Sequence, residues 1–225
     1  MIWSAEVFWT YMVDARIATA AGVTIMIAAA AQSAAAVIGF VLALGMRSRI
    51  MAVVAAARAY VWLFRGTPPL LLLLLFYFGL PQLGLRLGVL EAGLLCLSLY
   101  AGAYMAEIVR AALAAIDRGQ VEAARSLGMS RAETMRSILL PQAVRLILPP
   151  FGNEFASMMR TTSLLSVISV EELLRATNMI INQNFRPLEL YAVAALYYLA
   201  MATVWMAAQW ALERRFSLGR RNPAT

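Results

Sequence analysis

The chain of 225 residues is 62% hydrophobic, with a mean hydropathy of +0.74 and a formal net charge of +7. This composition excludes an ordinary soluble domain, in which apolar residues make up about 45–50% of the chain. The positive charge does not indicate nucleic-acid binding, because most of the arginines lie at the ends of apolar runs, where membrane spans carry their cytoplasmic charges.

The residue types that are missing narrow the chemistry further. All basic residues are arginine, and the sequence contains neither lysine nor histidine. A phosphate-binding loop uses a lysine, so this chain is not expected to hold an ordinary ATPase site. The lack of histidine and the single cysteine, Cys96, exclude the usual zinc ligand sets and any histidine-based catalytic triad. We therefore expect a chain that is not an enzyme and that binds no metal or cofactor itself.

Apolar stretches predict about five membrane-spanning helices, since one span needs about 20 mostly apolar residues. An aromatic segment at residues 2–13 precedes them and is too short to span, so it is expected to lie in the outer membrane interface. The spans are predicted near residues 18–46, 54–80, 89–109, 149–170 and 188–212. The sequence therefore predicts an all-α polytopic membrane protein with a single transmembrane domain, residues 1–225.

The distribution of arginine predicts the orientation of these spans. If the N-terminus is outside, the cytoplasmic segments hold Arg47, Arg49, Arg58, Arg110, Arg118, Arg125, Arg131, Arg136, Arg145, Arg214, Arg215, Arg220 and Arg221. The outer segments then hold only Arg16, Arg86, Arg175 and Arg186. Because positive residues accumulate on the cytoplasmic side of membrane proteins, we expect an outer N-terminus and a cytoplasmic C-terminus.

The second apolar stretch is interrupted at residues 65–69. Gly66 is expected to break the helix, Thr67 is expected to cap the helix that follows, and Pro68 is expected to open that new helix. A broken span whose half-helix N-terminus points inward can hold anionic groups. We therefore predict that Arg65, Gly66 and Thr67 face an anionic group of a substrate, with a simple packing kink as the alternative.

The third apolar stretch carries a polar stripe, since Tyr100, Tyr104 and Glu107 fall within about 60° of each other on a helix. An ionisable group at the centre of a span costs about 2.5–3.5 kcal/mol, which makes such a residue a candidate for function. Tyr104 and Glu107 are therefore predicted substrate-binding residues. Arg110 lies three residues after Glu107, and pairing between the two is the structural alternative.

A charged block, EAARSLGMSRAETMRSILLP at residues 122–141, lies between the third and fourth apolar stretches. Gly128 suits the position just past a helix at 119–127, and Ser130 with Glu133 forms a capping box that opens a second helix. The pattern predicts a helix, a tight turn and a second helix, with Leu127 and Met129 near the exposed corner. Such a block indicates a docking surface for another protein, and an amphipathic helix resting on the bilayer is the alternative.

The fourth apolar stretch carries the largest polar face. On a helical wheel its polar residues occupy one sector about 120° wide. This sector holds Asn153, Glu154, Ser157, Arg160 and Thr161. It lines a polar pathway or packs against another subunit, and we favour the pathway because a dry interface would need a partner for each charge. The predicted substrate-binding residues here are Glu154, Ser157, Arg160, Thr161, Thr162 and Ser163, of which residues 160–163 fall near the midplane if the span starts at Pro149.

The charged block resembles the EAA loop of the permease subunits of bacterial ABC importers. It contains Glu-Ala-Ala at residues 122–124, Gly128 after three further residues, and Ile138 and Leu140-Pro141 at the matching distances. Three other segments extend the resemblance over nearly the whole chain: FRGTPPLLLLLLFYFGLPQLG, LSLYAGAYMAEIVRAALAAIDRGQ and LPPFGNEFASMMRTTSLLSVISVEELL. Together they are similar to the polar amino-acid branch, the histidine/glutamine-type permeases.

The resemblance implies a type I ABC importer permease fold in the bacterial inner membrane, with an EAA loop at about residues 115–145 in the cytoplasm. It implies ATP-driven uptake of polar or basic amino acids, or related compounds such as opines, by alternating access. The partners would be ABC ATPase subunits that bind the ATP, a second permease subunit that is identical or homologous, and an external solute-binding protein.

The resemblance also assigns roles to residues. Those expected to couple to the ATPase are Glu122, Ala123, Ala124, Leu127, Gly128 and Met129. The junction after Arg65 would face the α-carboxylate of an amino acid, and Glu154 would face an ammonium group. Two rivals remain: an ion-coupled secondary transporter, which would not need the EAA block, and a membrane sensor, which has little use for charges at the midplane.

Overall fold

The computed structural model describes residues 3–217, with side chains described to residue 215. Arg220 and Arg221, which enter the prediction of orientation, lie outside the described residues. Within residues 3–217 every regular element is helical. The all-α prediction is therefore confirmed for the described part of the chain.

The α-helices follow one another in the order α1 (Ala5–Met12), α2 (Ala15–Gly45), α3 (Met51–Gly66), α4 (Pro69–Leu74), α5 (Val89–Ala114), α6 (Arg118–Ser126), α7 (Arg131–Thr134), α8 (Leu140–Thr161), α9 (Leu173–Asn184) and α10 (Pro187–Ser217). A π-helical turn at Leu75–Gly79 and a 3₁₀ turn at Leu80–Leu83 extend α4. A second π-helical turn, Met135–Leu139, joins α7 to α8, and a 3₁₀ segment, Thr162–Ile168, follows α8.

Three of the described helices, α2, α5 and α10, are long and apolar enough to cross a membrane. Helix α3 and the segment Pro69–Leu83 pass the same test as a pair bent by 105°, which gives up to four spans. Helix α8, the predicted fourth span, is less apolar because Arg145, Glu154 and Arg160 lie along it. Length and composition therefore support up to four of the five predicted spans within the described residues.

The helix that carries the predicted fourth span begins earlier than Pro149. Helix α8 begins at Leu140, and both Pro149 and Pro150 lie inside it. Because proline has no N–H group, these two residues leave the carbonyls of Arg145 and Leu146 without their usual helical donors. Two side chains of α10 contact the backbone close to the prolines: the indole of Trp205 donates to the carbonyl of Gly152 (2.8 Å), and the amide of Gln209 donates to that of Pro149 (3.0 Å). These hydrogen bonds hold α10 against α8 at its prolines.

The core is centred on a close contact between α2 and α5. A Cβ atom added at Gly39 would lie 2.4 Å from the Cβ of Met105 and 2.7 Å from the backbone nitrogen of Ala106. On α5, Gly102 faces the side chain of Ile38 in the same way. Small residues allow membrane helices to approach closely and gain van der Waals contact. Gly102 and Ala106, four residues apart on α5, thus allow the close packing of α5 on α2.

The predicted interruption of the second span is present as the 105° bend between α3 and α4. Thr67, however, does not cap the second helix, because its hydroxyl donates back to the carbonyl of Leu63 (2.8 Å). Its backbone is extended, as expected for the residue before a proline. Pro68 takes the N-cap position of α4 and Pro69 its first turn.

A buried carboxylate joins three helices near the start of α9. Glu172 is fully buried and accepts hydrogen bonds from the backbone nitrogen of Arg175 (2.8 Å) and the hydroxyl of Tyr198 on α10 (2.8 Å). The next backbone nitrogen, of Leu173, donates to the hydroxyl of Thr24 on α2 (3.1 Å). Burial raises the pKa of the Glu172 carboxyl despite these hydrogen bonds. Glu172 therefore fixes α9 against α2 and α10.

We expect Glu172→Ala to lower the free energy of unfolding by about 1–3 kcal/mol, because it removes a helix cap and leaves the buried Tyr198 hydroxyl without its acceptor. Glu172→Gln keeps an acceptor oxygen and should lose less. The measurement is the midpoint of thermal unfolding in detergent, with the exposed neighbour Glu171→Ala as the matched control. Equal midpoints for Glu171→Ala and Glu172→Ala would contradict this role.

Candidate functional site

Charged and aromatic side chains from three helices converge beside the core. The guanidinium carbon of Arg65, in the last turn of α3, lies 5.3 Å from the ring centroid of Tyr104 on α5. The hydroxyl of Tyr100 donates to that of Tyr104 (3.2 Å). Arg65 interacts electrostatically with Glu107, and Glu154 on α8 does so with Tyr100. We call Arg65, Tyr100, Tyr104, Glu107 and Glu154 the central polar cluster.

Within this cluster Glu107 already has a cationic partner. Its carboxylate accepts hydrogen bonds from Nη2 (2.7 Å) and Nε (3.1 Å) of Arg110, so the predicted pairing between the two is confirmed. Arg65 forms no ion pair with any residue between 3 and 217, and its described contact is the cation–π contact with Tyr104. The guanidinium of Arg65 is therefore able to bind an anion.

Glu154 is the complementary group. Its side chain is partly buried and makes no hydrogen bond or ion pair in the described part of the chain, although it interacts electrostatically with Arg160. A carboxylate inside a membrane protein is costly unless a cation or hydrogen-bond donors compensate it. The cluster thus presents an unpaired anion on α8 and an unpaired cation on α3, with two tyrosines from α5 beside them.

Not all of the predicted substrate-binding residues join this cluster. Arg160 and Ser163 line a separate cavity of 450 Å³ against α10, together with Tyr198 and Leu199. Thr162 is fully buried, and its hydroxyl donates to the carbonyl of Met159 (2.8 Å). In this conformation it therefore faces neither the central polar cluster nor the cavity against α10.

The predicted residues Thr162 and Ser163 lie beyond the regular helix, because α8 ends at Thr161 and a 3₁₀ segment follows, which advances by about 120° per residue. These two residues were predicted from their depth along the span and were not part of the polar sector. Arg160 does belong to that sector, but it lines the cavity against α10. Within α8, the hydroxyl of Thr161 donates to the carbonyl of Ser157 (3.0 Å), which places these two residues side by side.

The bend between α3 and α4 offers less to an anion than predicted. Pro69, the first residue of α4, has no N–H group, and the hydroxyl of Thr67 is used within α3. A Cβ at Gly66 would meet no atom within 4 Å, so packing does not require glycine there. At this junction Arg65 is therefore the main group that is able to bind an anion.

The charged block forms the predicted helix, turn and helix. Helix α6 ends in a Schellman motif, in which Gly128 donates to the carbonyl of Arg125 (2.9 Å) and Met129 donates to that of Ala124 (3.0 Å). Gly128 has a φ of +78°, a conformation that favours glycine. These observations confirm the predicted turn at Gly128.

The second helix opens with the predicted capping box. Glu133 donates its backbone N–H to the hydroxyl oxygen of Ser130 (3.2 Å), and its carboxylate accepts from the backbone of Ser130 (2.8 Å). Hydrogen bonding to Ser130 lowers the pKa of the Glu133 carboxyl. From α7 the chain continues helically through the π-helical turn into α8, so one rod leads from this turn to Glu154.

The residues predicted to couple to the ATPase differ in how far their side chains are exposed. Glu122 and Ala123 are exposed, and Leu127 exposes 82% of its surface at the corner of the turn. Ala124 is only 3% exposed and packs inward, so it does not offer a surface to another protein. Met129 is half-buried. Leu127 is the large apolar side chain that this turn exposes, and the charged residues Arg125 and Arg131 lie near it in the sequence.

The structure thus defines a class: a multi-pass helical membrane protein with unpaired charges among its helices and an exposed helix pair attached to them. The chain belongs to the family of binding-protein-dependent transport system inner membrane components, whose sequence pattern matches residues 35–218. It is therefore a transport subunit that works with a binding protein, in agreement with the resemblance seen in its sequence.

Individual relatives agree with this assignment. YckA of Bacillus subtilis, a probable amino-acid ABC transporter permease protein, is 34% identical over 217 residues, which cover 93% of this chain and 96% of that protein. ArgU of Corynebacterium glutamicum, an arginine transport system permease protein, is 37% identical over 235 residues, covering 98% of this chain and 74% of that protein. A crystal structure described as an amino acid ABC transporter with histidines superposes with a TM-score of 0.89 at 35% identity, over 96% of this chain and 100% of its own.

The central polar cluster contains one residue that the sequence prediction of the site omitted. Tyr100 was recognised on the polar stripe of α5 but was not included among the substrate-binding residues. In the structure its hydroxyl contacts that of Tyr104, and it is the member of the α5 stripe that interacts with Glu154. Its spacing of four residues from Tyr104 was the signal that identifies it.

Proposed function

We propose that this chain is the permease subunit of an ATP-driven ABC importer for polar or basic amino acids. The observation that supports it most is that two charged residues of the central polar cluster, Arg65 and Glu154, form no ion pair in the described part of the chain. An amino acid carries a carboxylate and an ammonium group. The positive charge of Arg65 is complementary to the carboxylate, and the negative charge of Glu154 is complementary to the ammonium group. The arginine permease among the relatives, and the solved transporter described with histidines, support a substrate of this chemical class.

The partners follow from the same family. Two permease subunits, identical or homologous, would enclose the pathway, two ABC ATPases would bind the ATP, and an external binding protein would deliver the amino acid. We place the N-terminus outside and the C-terminus in the cytoplasm, because the arginine excess then lies on the inner side. The helix pair α6 and α7 is then cytoplasmic and docks on an ATPase.

The connection between docking and substrate is the continuous helical rod from α7 to α8. Closure of the ATPases on ATP would move α6 and α7, and the rod would carry that movement to Glu154 and Arg160. The hydrogen bonds from Trp205 and Gln209 make α10 move with the middle of α8. The central polar cluster, formed between α8, α5 and α3, would then open to alternate sides of the membrane.

The docking step is tested by co-purification of the permease with the ATPase encoded beside it. We expect Leu127→Asp to reduce the ATPase retained per permease by about fivefold or more, because a buried apolar contact contributes over about 1 kcal/mol. Leu83→Asp is the matched control, since Leu83 is 79% exposed and lies after α4, away from the helix pair.

Two outcomes would contradict the proposed function. Equal retention of the ATPase by the Leu127 and Leu83 variants would remove α6 and α7 from the docking surface. Uptake of amino acids into proteoliposomes by the permease alone, driven by a proton or sodium gradient without ATPase, would identify a secondary transporter instead.

A further inference from the structure

A second polar cavity lies at the junction of α2, α6 and α7, apart from the central polar cluster. Its volume is 340 Å³, and three arginines from three different segments line it, Arg47 after α2, Arg125 on α6 and Arg131 on α7. Leu44 and Leu139 form part of its apolar wall. A volume of about 300–1,000 Å³ is typical of a site for a small ligand.

The three arginines have no anionic partner in the described part of the chain. The ion pairs there involve other arginines, and none of these three lies within 4.0 Å of a described carboxylate. Three guanidinium groups around one cavity repel one another, and a bound anion would turn this repulsion into attraction. The described lining contains no acidic residue, so none of the residues around the cavity compensates these charges.

The chemistry of the lining favours a phosphate group. Guanidinium groups bind phosphate oxygens through two parallel hydrogen bonds, and arginine from several directions matches its tetrahedral shape. The hydroxyl of Thr134, also in the lining, already donates to the carbonyl of Ser130 (2.9 Å). Recognition would therefore rest on the three arginines.

The position of the cavity favours a phosphate that is part of a lipid. Leu44 and Arg47 lie at the end of α2, a span of 31 residues, where the bilayer surface meets the protein. The apolar wall of Leu44 and Leu139 suits the glycerol and upper acyl region of a lipid. Basic pockets at the cytoplasmic ends of spans attract anionic headgroups, which are concentrated in the inner leaflet. We propose that this cavity binds the phosphate headgroup of an anionic phospholipid.

Such a lipid would connect the membrane surface to the docking helices. Arg47 belongs to the connection between α2 and α3, whereas Arg125 and Arg131 belong to the helix pair on either side of the turn at Gly128. One phosphate shared by all three would hold the helix pair against α2. The choice of a lipid rests on the cytoplasmic placement proposed above, and this consequence rests on the proposed docking of the helix pair as well.

Binding is tested on the purified permease–ATPase complex after removal of co-purified lipid in detergent. Native mass spectrometry then counts the phosphatidylglycerol retained, with phosphatidylcholine as the zwitterionic comparison. We expect Arg47→Gln and Arg131→Gln each to weaken phosphatidylglycerol retention by about tenfold. Arg118→Gln is the matched control, because it removes the same charge from α6 at a residue that does not line the cavity.

A second titration, with inorganic phosphate alone, distinguishes binding of a lipid phosphate from binding of the free ion. In one outcome, inorganic phosphate protects the complex against thermal unfolding, the protection depends on Arg47, and no lipid is selectively retained. This outcome would overturn the lipid assignment, because the cavity would then be a site for the free anion. Equal lipid retention by the Arg47, Arg131 and Arg118 variants would overturn the proposal. Loss of the ATPase from the Arg47 variant in lipid-free detergent would also overturn it, because the arginine would then contact the partner protein.

Discussion

Replacing Gly128 by valine is expected to lower the amount of amino acid transported per ATP hydrolysed by about tenfold or more. The φ of +78° at Gly128 lies in the left-handed region, where a β-branched residue is strained by about 1–3 kcal/mol. No atom lies within 4 Å of a Cβ added there, so the expected effect arises from the backbone and not from a clash. Relief of the strain would break the hydrogen bonds that close α6 and change its angle to α7.

The chain offers a close control for this substitution. Gly84 has a φ of +87° and equally open surroundings, but it follows the extension of α4 and is far in sequence from the helix pair. Gly84→Val should strain the backbone by a similar amount and leave coupling near its original value. Gly128→Asn should also retain most coupling, because asparagine tolerates the left-handed conformation.

Uptake and ATP hydrolysis are measured together in proteoliposomes that contain the permease, its ATPase and the binding protein. If Gly84→Val and Gly128→Val lower the ratio of uptake to hydrolysis equally, the turn at Gly128 has no special part in coupling. Unchanged coupling in Gly128→Val would lead to the same conclusion.

The features that were predictable from the sequence depend on neighbouring residues. The capping box of Ser130 and Glu133, the turn at Gly128 and the pairing of Glu107 with Arg110 each involve residues at most six apart, so local hydrogen bonding decides them. The membrane spans were recognisable for a similar reason, since a long apolar stretch has few alternatives.

The features that were not predictable depend on contacts between distant segments. Pro149 remains inside α8, where Gln209 and Trp205, more than fifty residues later in the chain, hydrogen-bond to its surroundings. Glu172 is buried, because Tyr198 and its own helix supply hydrogen bonds, and the charged residue type alone gives no indication of this. Ala124 packs inward although the motif alone gives no indication of its direction. Tertiary packing decides each of these cases.

The candidate functional site was predictable from the sequence only in part. The stripe on α5 and the position of Glu154 followed from helical periodicity, which holds as long as the helix is regular. Residues 162 and 163 were predicted from their depth in the span, which does not give the direction of a side chain, and they lie in a 3₁₀ segment that no residue pattern in the sequence marked. The positions of the α5 stripe and of Glu154 thus followed from the sequence, but the directions of the side chains at residues 162 and 163 did not.

Removing the charge of Glu154 is expected to discriminate between substrates. We expect Glu154→Gln to reduce transport of arginine by about tenfold to a hundredfold and transport of glutamine by about threefold or less. A hydrogen-bonded charged group contributes about 1.5–3 kcal/mol, and the substrate with the additional positive charge loses most when the carboxylate is removed. Since a glutamine side chain has nearly the same shape as glutamate and keeps one acceptor oxygen, the cluster should keep its packing.

The measurement is the initial rate of uptake into proteoliposomes, with saturating binding protein so that delivery of substrate does not limit the rate. Glu6→Gln is the matched control, because Glu6 is an exposed carboxylate on α1, whose side chain makes no described contact. An equal reduction for arginine and glutamine would reject the role of Glu154 as the counter-charge. The unpaired carboxylate would then be explained by the conformational cycle of α8, with no direct contact to the amino acid.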